Sequence, residues 1–298
     1  MQALYGFPES EGAARRLADR LGIPFRPVGL HRFPDGESLV RIDPPAGSAV
    51  LYRSLDRPNG KLVELLLAAS ALRDGGCRDL TLVAPYLAYM RQDAAFHPGE
   101  AVSQKVIGRL IAGAVDRVVT VNPHLHRTAG IAAVFPGIAA VAIDAAPAIA
   151  ERLSTEAAMR DAVVIGPDEE SRPWAEALAR PLGLAVVTAR KTRRGDRDVR
   201  VDLPEGSHLA GRPVLLLDDV ASTGETLAAC ARAAKAAGAA RVEAYVVHAL
   251  YGHEVGRRLA AAGIERLRSS DSIPHPSNDL ELAGLMASAL ARTGGSPR

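Results

Sequence analysis

The sequence predicts an α/β protein in which mainly parallel sheets are flanked by helices. Short aliphatic runs rich in Val and Leu, such as residues 79–87 and 213–220, do not alternate with polar residues. Strands of this kind are buried on both faces, as they are in parallel sheets. Longer segments with a helical period separate these runs, and several of them end in Gly, which favours a helix C-terminus.

The clearest elements can be placed in chain order. Helices are predicted at residues 61–76, 103–114 and 225–239, where Leu, Ile or Ala recur at helical spacing, and a last helical pattern covers residues 277–293. Strands are predicted at residues 49–55, 79–87, 116–122, 161–168, 184–191, 213–220 and 241–250.

The series of strands and helices runs twice along the chain, which predicts two domains. The first series ends near residues 135–143, and the second ends near residues 269–273. We therefore expect an N-terminal domain at residues 1–145 and a C-terminal domain at residues 146–298. The last helix can pack on either domain, the N-terminal one included.

Composition and charge exclude several classes of protein. Of the 298 residues, 48% are hydrophobic and 23% are charged, which is enough for a buried core. The 36 basic and 34 acidic residues nearly cancel, so no nucleic-acid partner is expected. Cys77 and Cys230 have neither metal-site nor disulfide spacing, which favours a reducing compartment. Without a signal-peptide pattern or an apolar membrane-spanning run, a soluble cytoplasmic protein is expected.

Two adjacent carboxylates, Asp218 and Asp219, follow the aliphatic residues 214–217. Ligands of open α/β sheets bind beyond the carboxyl ends of the strands, where this pair is expected to lie. The small, hydroxylated segment that follows leads into a helix, so its backbone N–H groups and the helix dipole suit a phosphate. The carboxylates suit a ribose diol, or a metal ion near one. The alternative is an ordinary capped helix N-terminus, which needs only one acid.

The stretch VLLLDDVASTGETL (214–227) resembles the fingerprint of proteins that bind 5-phosphoribosyl 1-diphosphate (PRPP). Glu225 stands where these proteins often have Gly. The resemblance implies that Asp218 and Asp219 hold the ribose hydroxyls, and that the 5-phosphate is held by Ser222, Thr223, Gly224 and Thr226.

Four further stretches resemble the ribose-phosphate pyrophosphokinase family, whose members make PRPP. They are HRFPDGESLVRI (31–42), APYLAYMRQDAAF (84–96), DRVVTVNPHLHR (116–127) and SDSIPHPSN (270–278). The resemblance covers about residues 5–292 in the family's order, and the KTR triplet, IPHPSN and the short chain resemble the archaeal type. It implies two phosphoribosyltransferase-like domains, each a mainly parallel sheet flanked by helices.

The turn RFPDGE would be an ordinary surface turn without this resemblance. The family match implies that Phe33, Asp35 and Glu37 reach from a neighbouring subunit to the adenine of ATP, and hence that the chain forms a homodimer or a larger homo-oligomer.

A second part of the ATP site is implied by YMRQD, which follows a predicted strand. The match places Arg91 on the ATP phosphates, since its planar fork suits polyphosphates, with Gln92 and Asp93 lining the nucleotide site.

Two segments are implied to hold Mg²⁺. In VNPHLHR, His124 and His126 at a strand end suit either a polar loop or a ligand site, and the family match implies a metal role for His124. Many relatives have Asp where this chain has Asn122. In VIGPDEES, Asp168 suits a helix cap, and the match implies that it shares the metal with His124. Mg²⁺ uses few protein ligands and keeps several waters, which fits this sparse set.

The polar run at residues 189–206 suits a solvated hairpin. The family has a mobile Lys-x-Arg loop at this place that closes over ATP. The resemblance therefore implies that Lys191 and Arg193 are catalytic and stabilise the transferring phosphoryl groups.

The activity that the resemblance implies is ribose-phosphate diphosphokinase, with ATP and ribose 5-phosphate as partners and Mg²⁺ as cofactor. The 1-hydroxyl of ribose 5-phosphate would attack the β-phosphorus of MgATP, without a protein nucleophile, and give PRPP and AMP for nucleotide biosynthesis. Alternatives are a phosphoribosyltransferase that uses PRPP, a non-catalytic regulatory subunit, and a synthetase with another sugar or nucleotide preference.

Overall fold

The computed structural model describes residues 2–125, 127–193 and 199–293, and for residues 191–193, 199, 200 and 293 it describes the backbone alone. The chain divides into two compact units. The first unit comprises Met1–Ile143, Ser272–Pro274 and Glu281–Arg298, and the second comprises Asp144–Asp271 and His275–Leu280.

The described residues alternate between strands and helices almost throughout. The helices are α1 (Glu11–Leu21), α2 (Pro58–Asp74), α3 (Ser103–Ala112), α4 (Ala146–Leu153), α5 (Arg172–Leu182), α6 (Glu225–Ala236), α7 (His253–Ala261) and α8 (Ala283–Thr293). The strands are β1 (Gln2–Gly6), β2 (Phe25–Pro27), β3 (Gly29–Arg32), β4 (Ser38–Arg41), β5 (Ser48–Tyr52), β6 (Asp79–Ala84), β7 (Arg117–Val121), β8 (Ala139–Ile143), β9 (Val163–Gly166), β10 (Ala185–Thr188), β11 (Arg190–Arg193), β12 (Val199–Asp202), β13 (Pro213–Ala221), β14 (Arg241–Ala249), β15 (Ile264–Ser270) and β16 (Asn278–Leu280).

The first unit is built on a six-stranded sheet in the order β2-β1-β5-β6-β7-β8. Every neighbouring pair is parallel, and the strand order reverses between β1 and β5. Strand residues such as Leu51 and Leu82 are fully buried, because helices cover both faces of a parallel sheet. In the same unit, α8 packs against α1.

The second unit repeats this plan in the order β10-β9-β13-β14-β15-β16, again with every pair parallel. Here the order reverses between β9 and β13. The four aliphatic residues 214–217 of β13 are buried at the centre of the sheet. The α/β fold class, with two mainly parallel sheets flanked by helices, is therefore confirmed.

Two antiparallel hairpins stand outside the sheets. The β3–β4 hairpin carries the RFPDGE turn at its tip. The β11–β12 hairpin contains Lys191 opposite Val201 and Arg193 opposite Val199 in the backbone register. Residues 194–198 of the predicted catalytic loop lie outside the described residues, as do the side chains of Lys191 and Arg193.

Most predicted elements are present with ends shifted by a few residues, but the helix predicted at residues 277–293 is wrong at its start. Asn278–Leu280 forms the edge strand β16, and α8 begins at Ala283. The Asp271 N–H donates to the carbonyl of Leu280 at 2.8 Å, and the Asn278 amide donates to the carbonyl of Ser270 at 2.6 Å. These pairings with the end of β15 override the local helical pattern.

The predicted strand at residues 184–191 is also divided. Strand β10 ends at Thr188, and the hairpin strand β11 begins at Arg190. The intervening Ala189 N–H donates to the carbonyl of Gly166 at the end of β9, which closes the sheet at this point. Among the described residues, no helix combines the length and apolar character that a membrane crossing requires.

Candidate active site

Asp218 and Asp219 lie inside β13, near its C-terminal end, and not after the strand. Strand β13 pairs with β14 as far as Ala221, but it pairs with β9 only as far as Leu216. Asp218 and Asp219 therefore lie where the sheet opens on the β9 side, at the reversal of strand order. Both are partly exposed, and the Asp219 N–H donates to Asp218 Oδ1 at 3.0 Å. Ligands of open α/β sheets bind at this kind of position.

Residues 222–224 join the end of β13 to the first residue of α6. Gly224 caps the helix with a φ of 73°, a left-handed conformation that favours glycine. Ser222 and Thr226 are half-buried, and Thr223 is exposed. The first N–H groups of a helix have no partner within the helix, and they carry its positive dipole end. The turn thus brings hydroxyls and a helix N-terminus close to two carboxylates, an arrangement that suits a phosphorylated sugar.

Asp168 has the geometry of a cap, which was one of the two interpretations of its sequence. It follows β9, and its Oδ1 accepts the Ser171 N–H at 3.0 Å while its own N–H donates to Ser171 Oγ at 3.3 Å. Because β9 and β13 are neighbours, Asp168, which follows β9, and Asp218, near the end of β13, lie at the same edge of the sheet. Within the described ranges, no group of three or more His, Cys, Asp or Glu residues is placed to hold a metal ion.

The RFPDGE turn is well ordered by its own hydrogen bonds. The Phe33 N–H donates to the Glu37 carbonyl at 2.8 Å, and the Glu37 N–H donates to Asp35 Oδ1 at 3.1 Å. The Phe33 ring is 40% exposed and lies edge-on to His31, with ring centroids 4.7 Å apart. An exposed aromatic ring beside two exposed carboxylates suits a planar base that carries N–H donors.

Glu64 anchors this hairpin, a role that sequence reasoning missed. It lies on α2 and is buried, yet it accepts from Arg32 Nε at 2.8 Å and from Ser38 Oγ at 3.0 Å at the base of the hairpin. Burial alone raises the pKa of Glu64, but the hydrogen bonds from Arg32 and Arg53 outweigh it and lower the pKa to about 2. A single carboxylate therefore fixes the base of the β3–β4 hairpin to α2.

Arg53 is the second partner of Glu64. It lies where the strand order of the first sheet reverses. It follows β5, next to β1, and its side chain is completely buried. It donates to Glu9 at 2.8 Å and to the Lys61 carbonyl at 3.0 Å, and its guanidinium lies 3.7 Å from the centre of the Phe7 ring. The first sheet thus has a buried ion cluster where the second sheet has its acidic pair. The only sequence signal was an arginine directly after the hydrophobic run at residues 49–52.

The segment around Arg91 leads from β6 to α3. The Ser103 hydroxyl donates to Gln92 Oε1 at 2.7 Å, and Arg91 is exposed. The buried carboxylate of Asp93 accepts from both the backbone N–H and the guanidinium of Arg127, each at 3.0 Å. Burial raises the pKa of Asp93, but the bonds from Arg127 lower it overall. Asp93 therefore ties this segment to the loop that follows β7.

That loop carries the half-buried His124. It begins at Asn122, whose φ of 36° is left-handed and suits Asn, and whose N–H donates to the Ile143 carbonyl at 2.9 Å. His126, the second histidine of the motif, lies outside the described residues. Since β6 and β7 are neighbours, the Arg91 and His124 segments share one edge of the first sheet.

A parallel sheet with a carboxylate pair and a turn that suits a phosphate at its strand reversal is typical of a phosphoribosyltransferase type of fold. Comparison with known proteins makes the assignment more specific. A family model for the N-terminal domain of ribose phosphate pyrophosphokinase matches residues 3–114. A model for the phosphoribosyl transferase domain matches residues 138–267.

Curated relatives match nearly the whole chain. The ribose-phosphate pyrophosphokinase of Methanopyrus kandleri is 34% identical over 96% of this chain and 98% of its own length. That of Halobacterium salinarum is 34% identical over 94% of this chain and 98% of its own length. The crystal structure of phosphoribosylpyrophosphate synthetase from Mycobacterium smegmatis shares the fold, with a TM-score of 0.85 over 98% of both chains at 24% identity.

The chain belongs to the ribose-phosphate pyrophosphokinase family. Its activity is PRPP synthesis, as the resemblance implied, and a phosphoribosyltransferase that consumes PRPP is not favoured. The two curated relatives come from archaea, which agrees with the expected archaeal type.

Proposed function

We propose that the chain transfers the β,γ-diphosphoryl group of MgATP to the 1-hydroxyl of ribose 5-phosphate, giving PRPP and AMP, through the residues assigned below. The observation that carries the proposal is the strand, turn and helix at β13 and α6, where an acidic pair near the end of the strand is followed by a three-residue turn and a helix N-terminus. Ribose 5-phosphate matches both parts, because its diol donates hydrogen bonds and its phosphate accepts them.

The sugar is held by the residues of this turn. Asp218 and Asp219 accept hydrogen bonds from the ribose hydroxyls, which offsets the repulsion between the two carboxylates. The 5-phosphate is bound by the first N–H groups of α6 and by the hydroxyls of Ser222, Thr223 and Thr226, with Gly224 allowing close approach.

The nucleotide is held by two segments that lie in the first unit. Phe33 stacks on the adenine, while Asp35 and Glu37 accept from its N–H groups. Arg91 pairs with the phosphates, and Gln92 lines the nucleotide site. Asp93, whose carboxylate is occupied by Arg127, contributes by holding the Arg91 segment in place.

The donor chemistry of Asp168 suits Mg²⁺. Carboxylate oxygens are its preferred protein ligands, and one or two of them suffice because the ion keeps several waters. Asp168 and His124 are the assigned residues, and Asp168 retains a second carboxylate oxygen beside its capping bond through Oδ1. When bound, Mg²⁺ neutralises charge on the phosphoryl oxygens.

The transfer itself needs positioning and charge stabilisation. The 1-hydroxyl oxygen bonds to the β-phosphorus, the bond from that phosphorus to the bridging oxygen of the α-phosphate breaks, AMP leaves, and the hydroxyl proton passes to water. Lys191 and Arg193 stabilise the negative charge that shifts during this step.

The assembly and the compartment are part of the proposal. The exposed Phe33 turn reaches the adenine site of a neighbouring copy, so the active form is a homodimer or a larger homo-oligomer. Cys77 and Cys230 are both buried and neither is in a disulfide, which suits the reducing cytoplasm. Co-assembly of a Phe33→Ala chain with an Asp218→Asn chain tests the shared site, because one intact site would form in the mixed oligomer and restore part of the activity.

The reaction is tested by ³¹P NMR of the protein with ribose 5-phosphate, ATP and Mg²⁺, beside a Lys191→Ala variant and a Lys235→Ala control at the surface pair with Glu265. We expect PRPP and AMP from the wild type and from the control, and about a hundredfold slower formation with Lys191→Ala. ADP as the sole nucleotide product would mean simple kinase chemistry and overturn the proposal. A folded protein that binds ATP without turnover would instead be a regulatory subunit.

A further inference from the structure

The turn at residues 223–225 rests directly on α7. Gly224 is buried, and a Cβ atom added to it would lie 2.8 Å from Val255 Cγ1 and 3.1 Å from Leu259 Cδ2. The left-handed φ of 73° at Gly224 strains any other residue as well. The close contact with α7 therefore favours glycine at position 224.

Arg258 lies on the same face of α7, between Val255 and Leu259 in helical spacing. One of its terminal nitrogens donates to the Thr223 carbonyl at 2.5 Å. The other pairs with the Glu225 carboxylate at 2.9 Å. A single guanidinium thus holds the residue before Gly224 and the residue after it.

Glu225 creates an electrostatic problem that this contact solves. As the first residue of α6 it is favourable for the helix, because an acid stabilises the positive end of the dipole. The same position places a negative charge beside the site that a phosphate would occupy. Arg258 compensates that charge, and it also donates a hydrogen bond to the Thr223 carbonyl oxygen.

We propose that Arg258 is a positioning residue for the phosphorylated substrate, because it compensates the charge of Glu225 and orients the Thr223 carbonyl. The turn then presents only hydrogen-bond donors to the 5-phosphate. The inference rests on the proposed function of the turn. It also explains how the chain tolerates Glu225 where PRPP-binding proteins often have Gly.

The molecule offers a matched control in Arg232. This residue lines the same groove of about 250 Å³ between α6 and α7, together with Glu225 and Arg258. Arg232→Gln removes the same charge from the groove but leaves the contact of Arg258 with the turn intact.

The test compares Arg258→Gln, Glu225→Gln, the double variant and Arg232→Gln. Steady-state kinetics give KM for ribose 5-phosphate and for ATP, and calorimetry gives the Kd of ribose 5-phosphate. For Arg258→Gln we expect KM and Kd for ribose 5-phosphate to rise about fivefold, with KM for ATP unchanged. The double variant should recover most of this loss, because no uncompensated carboxylate remains. Arg232→Gln should stay within about twofold of the wild type.

Equal effects of Arg258→Gln on both substrates, or a double variant that is no better than the single one, would mean that Arg258 supports the fold only. If Arg258→Gln does not fold, Arg258→Lys keeps the charge and should bind ribose 5-phosphate nearly as well as the wild type. Weak binding by Arg258→Lys would overturn the charge argument.

Calorimetry separates this inference from the reaction. A wild type that binds ribose 5-phosphate but makes no PRPP refutes the proposed function alone, and a wild type that does not bind it refutes both.

Discussion

The guanidinium of Arg53 and the carboxylate of Glu64 form a buried ion pair, with exposed side-chain fractions of 0% and 2%. Glu64 also binds Arg32 at the base of the β3–β4 hairpin, so this pair connects the core of the first unit to the turn that carries Phe33. Two charges this deep are costly to desolvate, and they are tolerated because each has several partners.

Replacing one member of this pair should be strongly destabilising. Glu64→Gln leaves the Arg53 guanidinium buried without its nearest compensating charge, so we expect the free energy of unfolding to fall by about 3–5 kcal/mol. Urea unfolding followed by circular dichroism measures the change. The matched control is Glu11→Gln, which breaks an exposed pair with Arg15 and should cost less than about 1 kcal/mol. Equal effects of the two variants would contradict the role of Glu64.

Stability should depend on pH through the same carboxyl group. Its pKa is about 2 in the folded protein, below the ordinary value of 4.5 for an unfolded chain, so protonation favours unfolding. The contribution of Glu64, about 3 kcal/mol, is fully present above pH 4.5 and is lost as the pH falls toward 2. The check is the difference in unfolding free energy between the wild type and Glu64→Gln from pH 7 to pH 3. That difference should shrink below pH 4.5, and a constant difference would refute the assignment.

The acidic pair should act on the sugar alone. Asp218→Asn or Asp219→Asn removes a charged acceptor, so we expect kcat/KM for ribose 5-phosphate to fall about tenfold to a hundredfold. Binding of ATP, measured by calorimetry, should stay within about twofold because the lost partner is a ribose hydroxyl. Glu176→Gln, an exposed acid on α5, is the control and should behave as the wild type. Loss of ATP binding in the Asp218 or Asp219 variants would mean that the acidic pair binds the nucleotide and not the sugar.

Asp93 and Arg127 should behave as one unit. If Asp93 holds the Arg91 and His124 segments together through Arg127, Asp93→Ala and Arg127→Ala will each raise KM for MgATP by a similar factor of about ten. The double variant should be little worse than either single one, since the contact is already lost. A multiplicative effect in the double variant would instead show that Asp93 touches the nucleotide independently of Arg127. The KM for ribose 5-phosphate serves as the internal control.

Some features of the site could be predicted because they are local. The aliphatic run before Asp218 and the small hydroxylated residues after it are adjacent in the chain, so their roles as a buried strand and a helix N-terminus follow from the sequence pattern. The same holds for the RFPDGE turn, whose hydrogen bonds join residues at most four apart.

Other features could not be predicted because they join distant parts of the chain. Arg258 is 35 residues from Thr223, and Arg127 is 34 residues from Asp93. The helical pattern at residues 277–293 failed at its start for the same reason, since pairing of β16 with β15 depends on an edge that the local sequence does not contain.

By itself, the sequence determined the fold class, the position of the acidic pair and the resemblance to a family, because periodicity and motifs are properties of contiguous residues. Only the tertiary structure decided that Arg53 lies where the strand order of the first sheet reverses, whereas carboxylates lie where the strand order of the second sheet reverses. It also decided that Glu64 anchors the hairpin and that Arg258 compensates Glu225. The physical reason is that an ion pair depends on distance and burial in space, and a linear pattern of charges contains neither.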